Sequence, residues 1–462
     1  MSVHYALITN DRTHELTTAK ASNPPTPTPP TAPLTRSEQF ITAAVFLFPA
    51  LALTVPDGYS IGAVALLIAA ITHLIANGRT WAQHPPLPGA VKAVIAFMLV
   101  YALLWMGDAA LRGEGVREFD RPSRFLLAAF CLSVFARARI HQAALWLGLA
   151  VGGLGAGGLA ITQKLIEGQQ RANGFAQVIQ FGNAAMLIGL MGLAGMLWSL
   201  QPPTTNPDRP RRTRRRRALL TGLMGLGALG GLTASFLSGT RGAWLALAPA
   251  LLVGLWAAVQ LGKARLYLLI GPVALAVIAT TAYFIPATGV EWRVDSAVSE
   301  VQRYLEDTER RTNTGNRLEM WKGAAHLIGE RPWVGWGETE YQAELARLGE
   351  AGIITERASE YTHAHNEWLN VWAKRGITGV FILLGLYLSP INAFLRLPRG
   401  ATSQTSFSGS RDSRHLALPT AGMIFTFGAM ATGLTQVNFN HNIGVMTFAF
   451  MTAVLVGISQ HN

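Results

Sequence analysis

Long runs of apolar residues alternate with short polar stretches along most of this chain of 462 residues. A run of about 17–25 apolar residues is long enough to cross a bilayer as a helix. The pattern therefore predicts an all-α polytopic membrane protein with about twelve transmembrane helices. The predicted spans are 38–55, 59–77, 89–107, 124–137, 142–162, 180–200, 218–237, 242–260, 266–285, 368–395, 416–434 and 442–459.

Glycines are frequent inside several of these runs. They form the stretch Gly152 to Gly158, and they recur between Gly225 and Gly231. Small residues let transmembrane helices approach closely, so both stretches predict helix–helix contacts.

A long polar stretch, residues 286–366, separates the ninth apolar run from the tenth. Within it, residues 296–309 and 315–329 repeat apolar positions at helical spacing, so two helices are predicted. Residues 331–337 contain proline and glycine and predict a turn after the second helix. We expect a small helical cap that lies on the membrane surface.

The chain is thus predicted to have four parts. Residues 1–37 are rich in proline and threonine and lack the basic-then-apolar order of a signal peptide. The predicted parts are a disordered cytoplasmic tail at 1–37, transmembrane helices one to nine at 38–285, the cap at 286–366, and transmembrane helices ten to twelve at 367–462.

The charges predict an orientation for these helices. Only 14% of the residues are charged, against about 25% in soluble domains, and the net charge is +12. Basic residues concentrate in alternate short loops, which predicts cytoplasmic termini and a cap on the opposite side. The arginines within 211–217 are interpreted as an anchor of this topology, and a nucleic-acid or lipid patch is the alternative. The single cysteine, Cys131, excludes a disulfide framework within the chain.

Several arginines lie on the predicted outer side, where topology does not call for them. Arg241 sits in a tight turn between two spans, where an unpaired charge is costly, and Arg317 sits at a predicted helix start, where backbone N–H groups favour anions. Several converging guanidinium groups would suit a diphosphate. Their alternative roles are contact with lipid headgroups for Arg241 and a solvated helix face for Arg317. The outer arginines include Arg112, Arg117, Arg121, Arg124, Arg171, Arg241, Arg293 and Arg317.

The end of the polar stretch carries two histidines, His363 and His365, followed by Asn366 and Glu367. A His-x-His pair near a carboxylate is compatible with a metal site, although the sequence offers no clear third ligand. Structural histidines at a helix start are a second possibility. A general base is favoured, because a neutral imidazole can take a proton from a sugar hydroxyl. Glu367 is expected either to orient His365 or to favour the helix N-terminus through the helix dipole.

Short motifs in this region resemble those of bacterial O-antigen ligases and the wider O-antigen ligase and polymerase superfamily. Their order and spacing together carry the resemblance. The motifs are His365-Asn366 followed after nine residues by Gly376-Ile377-Thr378-Gly379, Ser238-Gly239-Thr240-Arg241-Gly242, Thr314-Gly315-Asn316-Arg317 with Trp321, and Pro332-Trp333-Val334-Gly335-Trp336-Gly337.

The resemblance implies an inverting, metal-independent glycosyltransferase of the GT-C type, without a cofactor, in the bacterial inner membrane. Such an enzyme moves O-antigen glycan from undecaprenyl diphosphate to lipid A-core on the periplasmic face. It implies that His365 is the general base, with Asn366, His363 and Glu367 in support. It also implies that Arg241 and Arg317 bind the diphosphate, with Arg171 and Arg124 as helpers.

Other functions stay open at this point. An O-antigen polymerase has the same chemistry with a lipid-linked acceptor, and Val380-Phe381 stand where ligases often have small hydroxyl residues. A glycan-to-protein ligase would differ in its acceptor. A lipid-linked glycan transporter is disfavoured, because the polar residues concentrate in one outer stretch rather than at mid-membrane.

Overall fold

Helices account for nearly all regular structure in the described residues, and these residues contain no strand. The structure is a computed structural model, and it describes residues 33–199, 210–285, 289–396 and 414–461. Most of the predicted tail at 1–37 lies outside the described residues. The first helix begins at Arg36, two residues before the predicted span.

Every predicted apolar run coincides with a helix. Most ends are shifted by a few residues, whereas the helix over the run at 218–237 already begins at Pro210. The run at 242–260 divides into a 3₁₀ segment, Arg241–Ala246, and an α-helix. The helices outside the cap are α1 Arg36–Leu51, α2 Gly58–Asn77, α3 Gly89–Leu111, α4 Asp120–Phe135, α5 Gln142–Ile161, α6 Val178–Ser199, α7 Pro210–Ser238, α8 Leu247–Gln260, α9 Ala264–Phe284, α14 Glu367–Leu395, α15 Arg414–Thr432 and α16 Asn442–Ile458.

Eight segments of the described residues are long and apolar enough to cross a membrane. They include α2, α3, α6, α7 and α14, together with segments built on α5, α8 and α16. The chain is therefore a multi-pass helical membrane protein. Of the other four predicted spans, α1 and α4 have only 16 residues each. The count of twelve and the GT-C type of fold stay predictions.

The predicted close approach of glycine-rich helices is confirmed between α5 and α7. A Cβ atom at Gly153 would collide with the backbone of Gly227, and one at Gly157 would collide with Gly230. The two backbones pack without side chains between them. This contact fixes the position of the end of α7, from which the turn at residues 238–242 continues.

In residues 289–366, which the structure describes, the cap consists of four helices rather than the two that the sequence predicts. They are α10 Val290–Leu305, α11 Asn313–Glu330, α12 Gly337–Glu350 and α13 Glu356–Ser359. Helix α12 buries Tyr341, Leu345 and Leu348, which follow each other at helical spacing. These side chains share a core with Leu327 of α11 and with Ala373 of α14, so the cap is built onto the start of α14.

A break in α14 receives the turn that follows α11. Gly376 has φ 67° and ψ −173°, outside the helical range. The Ile377 N–H donates to the Pro332 carbonyl, and the Trp336 N–H donates to the Ala373 carbonyl. A Cβ atom at residue 376 would collide with the Trp333 carbonyl. The fixed distance from His365-Asn366 to this glycine therefore reflects the joint between the cap and the membrane helix.

Candidate active site

One cavity of about 260 Å³ lies where the cap meets the ends of the membrane helices. Among the described residues, its lining contains four arginines and one histidine, but no aspartate or glutamate. The lining residues are Arg171, Ile179, Gly239, Thr240, Arg241, Gly242, Arg293, Asn313, Thr314, Asn316, Arg317, Met320, Tyr361, His365 and Thr435. The structure thus brings together four of the residues predicted for the site: Arg171, Arg241, Arg317 and His365.

The turn after α7 presents Arg241 to this cavity. Ser238 Oγ donates to Thr240 Oγ1 at 2.9 Å, and Thr240 Oγ1 donates to the Val178 carbonyl at 3.3 Å. These bonds hold the turn against the start of α6. Arg241 then donates from Nη1 to the Arg293 carbonyl at 2.7 Å, which ties the turn to α10.

Gly239 in the same turn needs to be glycine for two reasons. Its φ is +62°, in the left-handed region that other residues rarely adopt. A Cβ atom there would collide with the guanidinium of Arg293. The guanidinium therefore lies directly against the backbone of the turn.

The loop between α5 and α6 carries Arg171 and is held by Gln163. Gln163 Oε1 accepts hydrogen bonds from the N–H groups of Asn173 and Gly174, and its Nε2 donates to the Gly174 carbonyl. Arg171 donates from Nε to the Ser238 carbonyl at 2.7 Å. These bonds hold the polar loop that carries Arg171 against the end of α7.

Two arginines from the cap complete the cluster. Arg293 lies on α10, and its Nε is buried without a hydrogen-bond partner among the described residues. Arg317 lies on α11, and its guanidinium makes no hydrogen bond or ion pair with the described residues. Unsatisfied buried donors are costly, so both guanidinium groups favour an acceptor placed in the cavity.

The N-terminus of α11 differs from the anion site predicted there. The Thr314 N–H donates to Glu300 Oε2 at 2.8 Å, and the Gly315 N–H donates to the Thr312 hydroxyl at 3.0 Å. These protein groups occupy the backbone donors that an anion would use. In this region the side chain of Arg317, and not those N–H groups, is available to a ligand.

The arginines lower one another's proton affinity. Burial, followed by the charges of Arg293, Arg241 and Arg317, lowers the pKa of Arg171 to about 10. Burial and the charge of Arg241 also lower the pKa of Arg293 and of Arg317. Guanidinium groups stay cationic at neutral pH. An anion in the cavity would relieve this repulsion.

His365 faces the cavity from the loop before α14. Its φ is +48°, which is uncommon for a non-glycine residue and is held here by tertiary contacts. Its Nδ1 lies 2.7 Å from Oε1 of Gln436, an atom that can only accept. The proton of the neutral ring therefore sits on Nδ1, and Nε2 keeps a free lone pair.

The imidazole of His365 is neutral at neutral pH. Burial and then the positive charge of Arg317 lower its pKa to about 4, against the opposing hydrogen bond of Gln436. Burial and the neighbouring His365 also lower the pKa of His363. The ring of His365 is thus in the protonation state that a general base requires.

The supporting residues predicted around His365 have distinct positions. Asn366 caps α14, since its side chain accepts from the N–H groups of Trp368 and Leu369. His363 accepts from the His365 N–H at 3.3 Å. Glu367 is 1% exposed and accepts from the Phe439 N–H at 3.0 Å, so it holds the loop before α16 and shows no contact with His365. Gln436 of that loop contacts the imidazole instead.

Arg124 is the one predicted arginine outside the cavity lining. Its guanidinium donates to Asp120 and to Asn442 Oδ1, and the residue is 7% exposed. These contacts join α4 to the start of α16. A part for Arg124 in diphosphate binding stays a prediction.

Sequence reasoning did not assign Gln436, His441, Tyr361 or Arg293 to the site. Arg293 already belonged to the outer arginines that topology leaves unexplained, and this position could have marked it as a site residue. Gln436 lies 71 residues after His365, in a polar turn between two apolar runs, and no local pattern marks it. No group of three or more His, Cys, Asp or Glu side chains in the described ranges is arranged to hold a metal ion.

Comparisons with known proteins bear on the central part of the chain. Residues 211–384 match the model of a family described as O-antigen ligase. This match confirms the predicted resemblance to the O-antigen ligase and polymerase superfamily. The matched segment includes Arg241, Arg293, Arg317 and His365, whereas Arg171 and Gln436 lie outside it.

A relative is found in Haemophilus influenzae. This protein, described as an uncharacterized protein, is 26% identical over 357 residues, which are 77% of this chain and 85% of the relative. The similarity therefore extends well beyond the residues that match the family model.

Proposed function

We propose that this chain, whose residues 211–384 match the O-antigen ligase family, transfers a glycan from a lipid diphosphate to an acceptor hydroxyl. The donor is undecaprenyl diphosphate-linked O-antigen, and the acceptor is a sugar of lipid A-core. The observation that carries the proposal is the cavity that combines four arginines with a neutral histidine and has no carboxylate among the described residues of its lining. A diphosphate supplies the anionic oxygens that this set of donors lacks.

The arginines stabilise the leaving group. When the bond between the anomeric carbon and the diphosphate breaks, its electron pair stays on the diphosphate oxygen. Guanidinium groups that already surround this oxygen stabilise the developing charge without rearrangement. Arg293 and Arg317 are free to do so, because the protein leaves their donors unsatisfied or unpaired in the described residues.

His365 activates the acceptor. Its Nε2 removes the proton of the acceptor hydroxyl while the hydroxyl oxygen attacks the anomeric carbon from the side opposite the diphosphate. The products are the glycosylated acceptor and the free lipid diphosphate, and the configuration at the anomeric carbon is inverted. The imidazolium then releases its proton to solvent. No metal ion takes part in this scheme.

An apolar groove in the structure suits the hydrocarbon chain of a lipid-linked donor. It has a volume of about 490 Å³ and is lined almost entirely by carbon, with Phe236, Leu247 and Ile270 among its residues. Helix α7 contributes Phe236 to the groove, and the turn directly after α7 contributes Gly239 to the cationic cavity. The two sites therefore share a helix end, as the two ends of one lipid diphosphate require.

The proposal includes a location. We place the protein in the bacterial inner membrane, with both termini in the cytoplasm and the cap with its cavity in the periplasm. The GT-C type of fold is part of the same proposal. Membrane lipids surround the spans, and no nucleic acid is expected as a partner.

The deciding experiment supplies purified protein with lipid-linked glycan in the presence of lipid A-core. We expect glycosylated lipid A-core and free undecaprenyl diphosphate, unaffected by a chelator. A longer lipid-linked polymer without transfer to core would identify a polymerase, and transfer only to a protein would identify a glycan-to-protein ligase. Either result would overturn the ligase proposal.

The same assay tests the general base. His365→Ala should lower the transfer rate by about 10²–10⁴-fold, because the group that removes the acceptor proton is lost. His326→Ala is the matched control, since His326 is a half-exposed histidine on the cap, beside Glu330. Full activity of His365→Ala would remove this residue from the mechanism.

A further inference from the structure

We propose that Gln436 is the positioning residue that sets the tautomer of His365. The inference rests on the proposed function of the cavity and adds a residue to its mechanism. Gln436 is 1% exposed and belongs to the loop between α15 and α16, outside the segment that matches the family model. Its side chain contacts two imidazole rings, those of His365 and His441.

The two ends of the amide have different partners. Oε1 lies 2.7 Å from Nδ1 of His365, and Nε2 lies 3.1 Å from Nε2 of His441. Since the amide NH₂ can only donate, His441 accepts with Nε2 and holds its own proton on Nδ1. The amide orientation and the tautomers of the two rings are therefore linked, since the opposite orientation would require the proton on Nε2 of both His365 and His441.

The loop that carries Gln436 is anchored to the start of α14. The Glu367 N–H donates to the Gly433 carbonyl at 2.7 Å, and the Glu367 carboxylate accepts from the Phe439 N–H. Asn438 also donates to the Thr432 hydroxyl at 3.1 Å. The loop is thus tied on both sides of Gln436 to the helix that follows His365. Glu367 is thus connected to the imidazole through this loop.

A neutral partner suits this site better than a carboxylate would. An aspartate or glutamate on Nδ1 would hold the same tautomer, but its negative charge would favour protonation of the ring. It would also offer the arginines a protein anion in place of the diphosphate. An amide fixes the proton on Nδ1 and leaves the ring neutral and the guanidinium groups free.

The charged and titratable groups around His365 come from several elements. Arg317 faces it from α11, Tyr361 and His363 from the loop before α14, and His441 from the loop before α16. Arg171, Arg241 and Arg293 line the same cavity. None of these groups is an aspartate or a glutamate, so a glutamate at position 436 would be the first carboxylate among them.

The test uses Gln436→Glu and Gln436→Met in the full chain. Diethyl pyrocarbonate modifies an imidazole nitrogen only when it is unprotonated. The rate of modification of His365, measured by peptide mass spectrometry at several pH values, therefore reports the protonation of the ring without requiring transfer activity. In the wild type we expect no change between about pH 8 and 5.5, because the ring stays neutral. In Gln436→Glu the rate should fall as the pH decreases through this range.

The transfer assay tests the effect of the His365 tautomer on the reaction rate. Gln436→Met keeps the size of the side chain but frees Nδ1, so part of the neutral rings will carry the proton on Nε2. We expect kcat to fall by about 10–10³-fold, less than the roughly 10⁴-fold loss from a wrong tautomer in a serine protease triad. The KM for the donor should stay near the wild-type value, since the arginines are unchanged.

Gln302→Glu is the matched control, because Gln302 is exposed on α10 and receives the same change of charge. Equal pH dependence of modification in Gln436→Glu and the wild type would overturn the proposal, as would unchanged kcat in Gln436→Met. Absence of transfer by the wild type would instead overturn the proposed function. The modification profile would then still show whether Gln436 controls His365.

Discussion

Arg293 is the clearest case of a buried donor that the described part of the protein leaves without a hydrogen-bond partner. Its carbonyl binds Arg241, and its guanidinium lies against Gly239, yet its buried Nε has no partner in the described residues. A structural arginine would be paired with a carboxylate or carbonyl at this depth. A donor that is held in place but unsatisfied is typical of a binding group.

Replacement of Arg293 should therefore weaken diphosphate binding. We expect Arg293→Ala to raise the Kd for inorganic diphosphate by about tenfold or more, because a charge-assisted hydrogen bond is lost. Titration calorimetry on the purified protein measures this. Arg303→Ala serves as the control, since Arg303 lies on the same helix and pairs with Glu309 at the surface. Equal Kd values for both variants would contradict the role.

The pKa of His365 predicts how activity depends on pH. A general base must be unprotonated, so activity should fall as the pH decreases through its pKa, which is about 4 in the free protein. A bound diphosphate opposes the charge of Arg317 and raises this pKa. The acid limb of kcat, which reports the donor complex, should therefore lie at higher pH than that of kcat/KM.

Initial rates at varied donor concentration between about pH 3 and about pH 8 would test this order of the two limbs, because this range includes the pKa of about 4 in the free protein and any higher pKa in the donor complex. Acid limbs of kcat and kcat/KM at the same pH would show that bound diphosphate does not change the pKa of His365. A limb of kcat below that of kcat/KM would contradict the assigned sign.

At the scale of elements, the apolar runs predict where helices form, because length and hydrophobicity suffice for a membrane span. The cap was harder to predict. Helix α12 has its apolar residues at Tyr341, Leu345 and Leu348 among many charges, and its helical period becomes evident only once the partners in α11 are known. Gln436 could not be found from sequence for a similar reason, since its contact with His365 is made by folding and not by spacing.

The glycine after His365-Asn366 gains a physical reason from the break in α14. Gly376→Ala should destabilise the joint between cap and membrane helix, because φ there is +67° and a Cβ atom would collide with the Trp333 carbonyl. A residue forced into such a conformation costs about 1–3 kcal/mol before any collision is counted. The melting temperature in detergent and the transfer rate should both fall.

Gly107→Ala is the control for this change. Gly107 lies inside α3, and a Cβ atom there would meet no heavy atom within 4 Å. Alanine favours a helix over glycine, so the melting temperature of this variant should be unchanged or slightly higher. A Gly376→Ala protein that melts with the wild type would show that the break tolerates a side chain.

At the scale of the whole molecule, the site depends on which side of the membrane the cap occupies. Helix α10 exposes Val298, Val301 and Leu305 on one face, at spacings of three and four residues, and such an apolar face suits the surface of a bilayer. In the proposed orientation, which rests on the basic residues of the opposite loops, this surface is the periplasmic one. A donor presented in the periplasmic leaflet would then meet the cationic cavity directly.

Cysteine labelling tests this orientation with little background, because the single cysteine, Cys131, is buried. Arg303→Cys on the cap should react with a membrane-impermeant maleimide in cells whose outer membrane has been removed. Arg79→Cys, in the predicted inner loop after α2, should react only after the inner membrane is permeabilised. The reverse labelling pattern would place the cavity in the cytoplasm, out of reach of a periplasmic donor and acceptor. It would overturn the proposed location and, with it, the choice of lipid A-core as the acceptor.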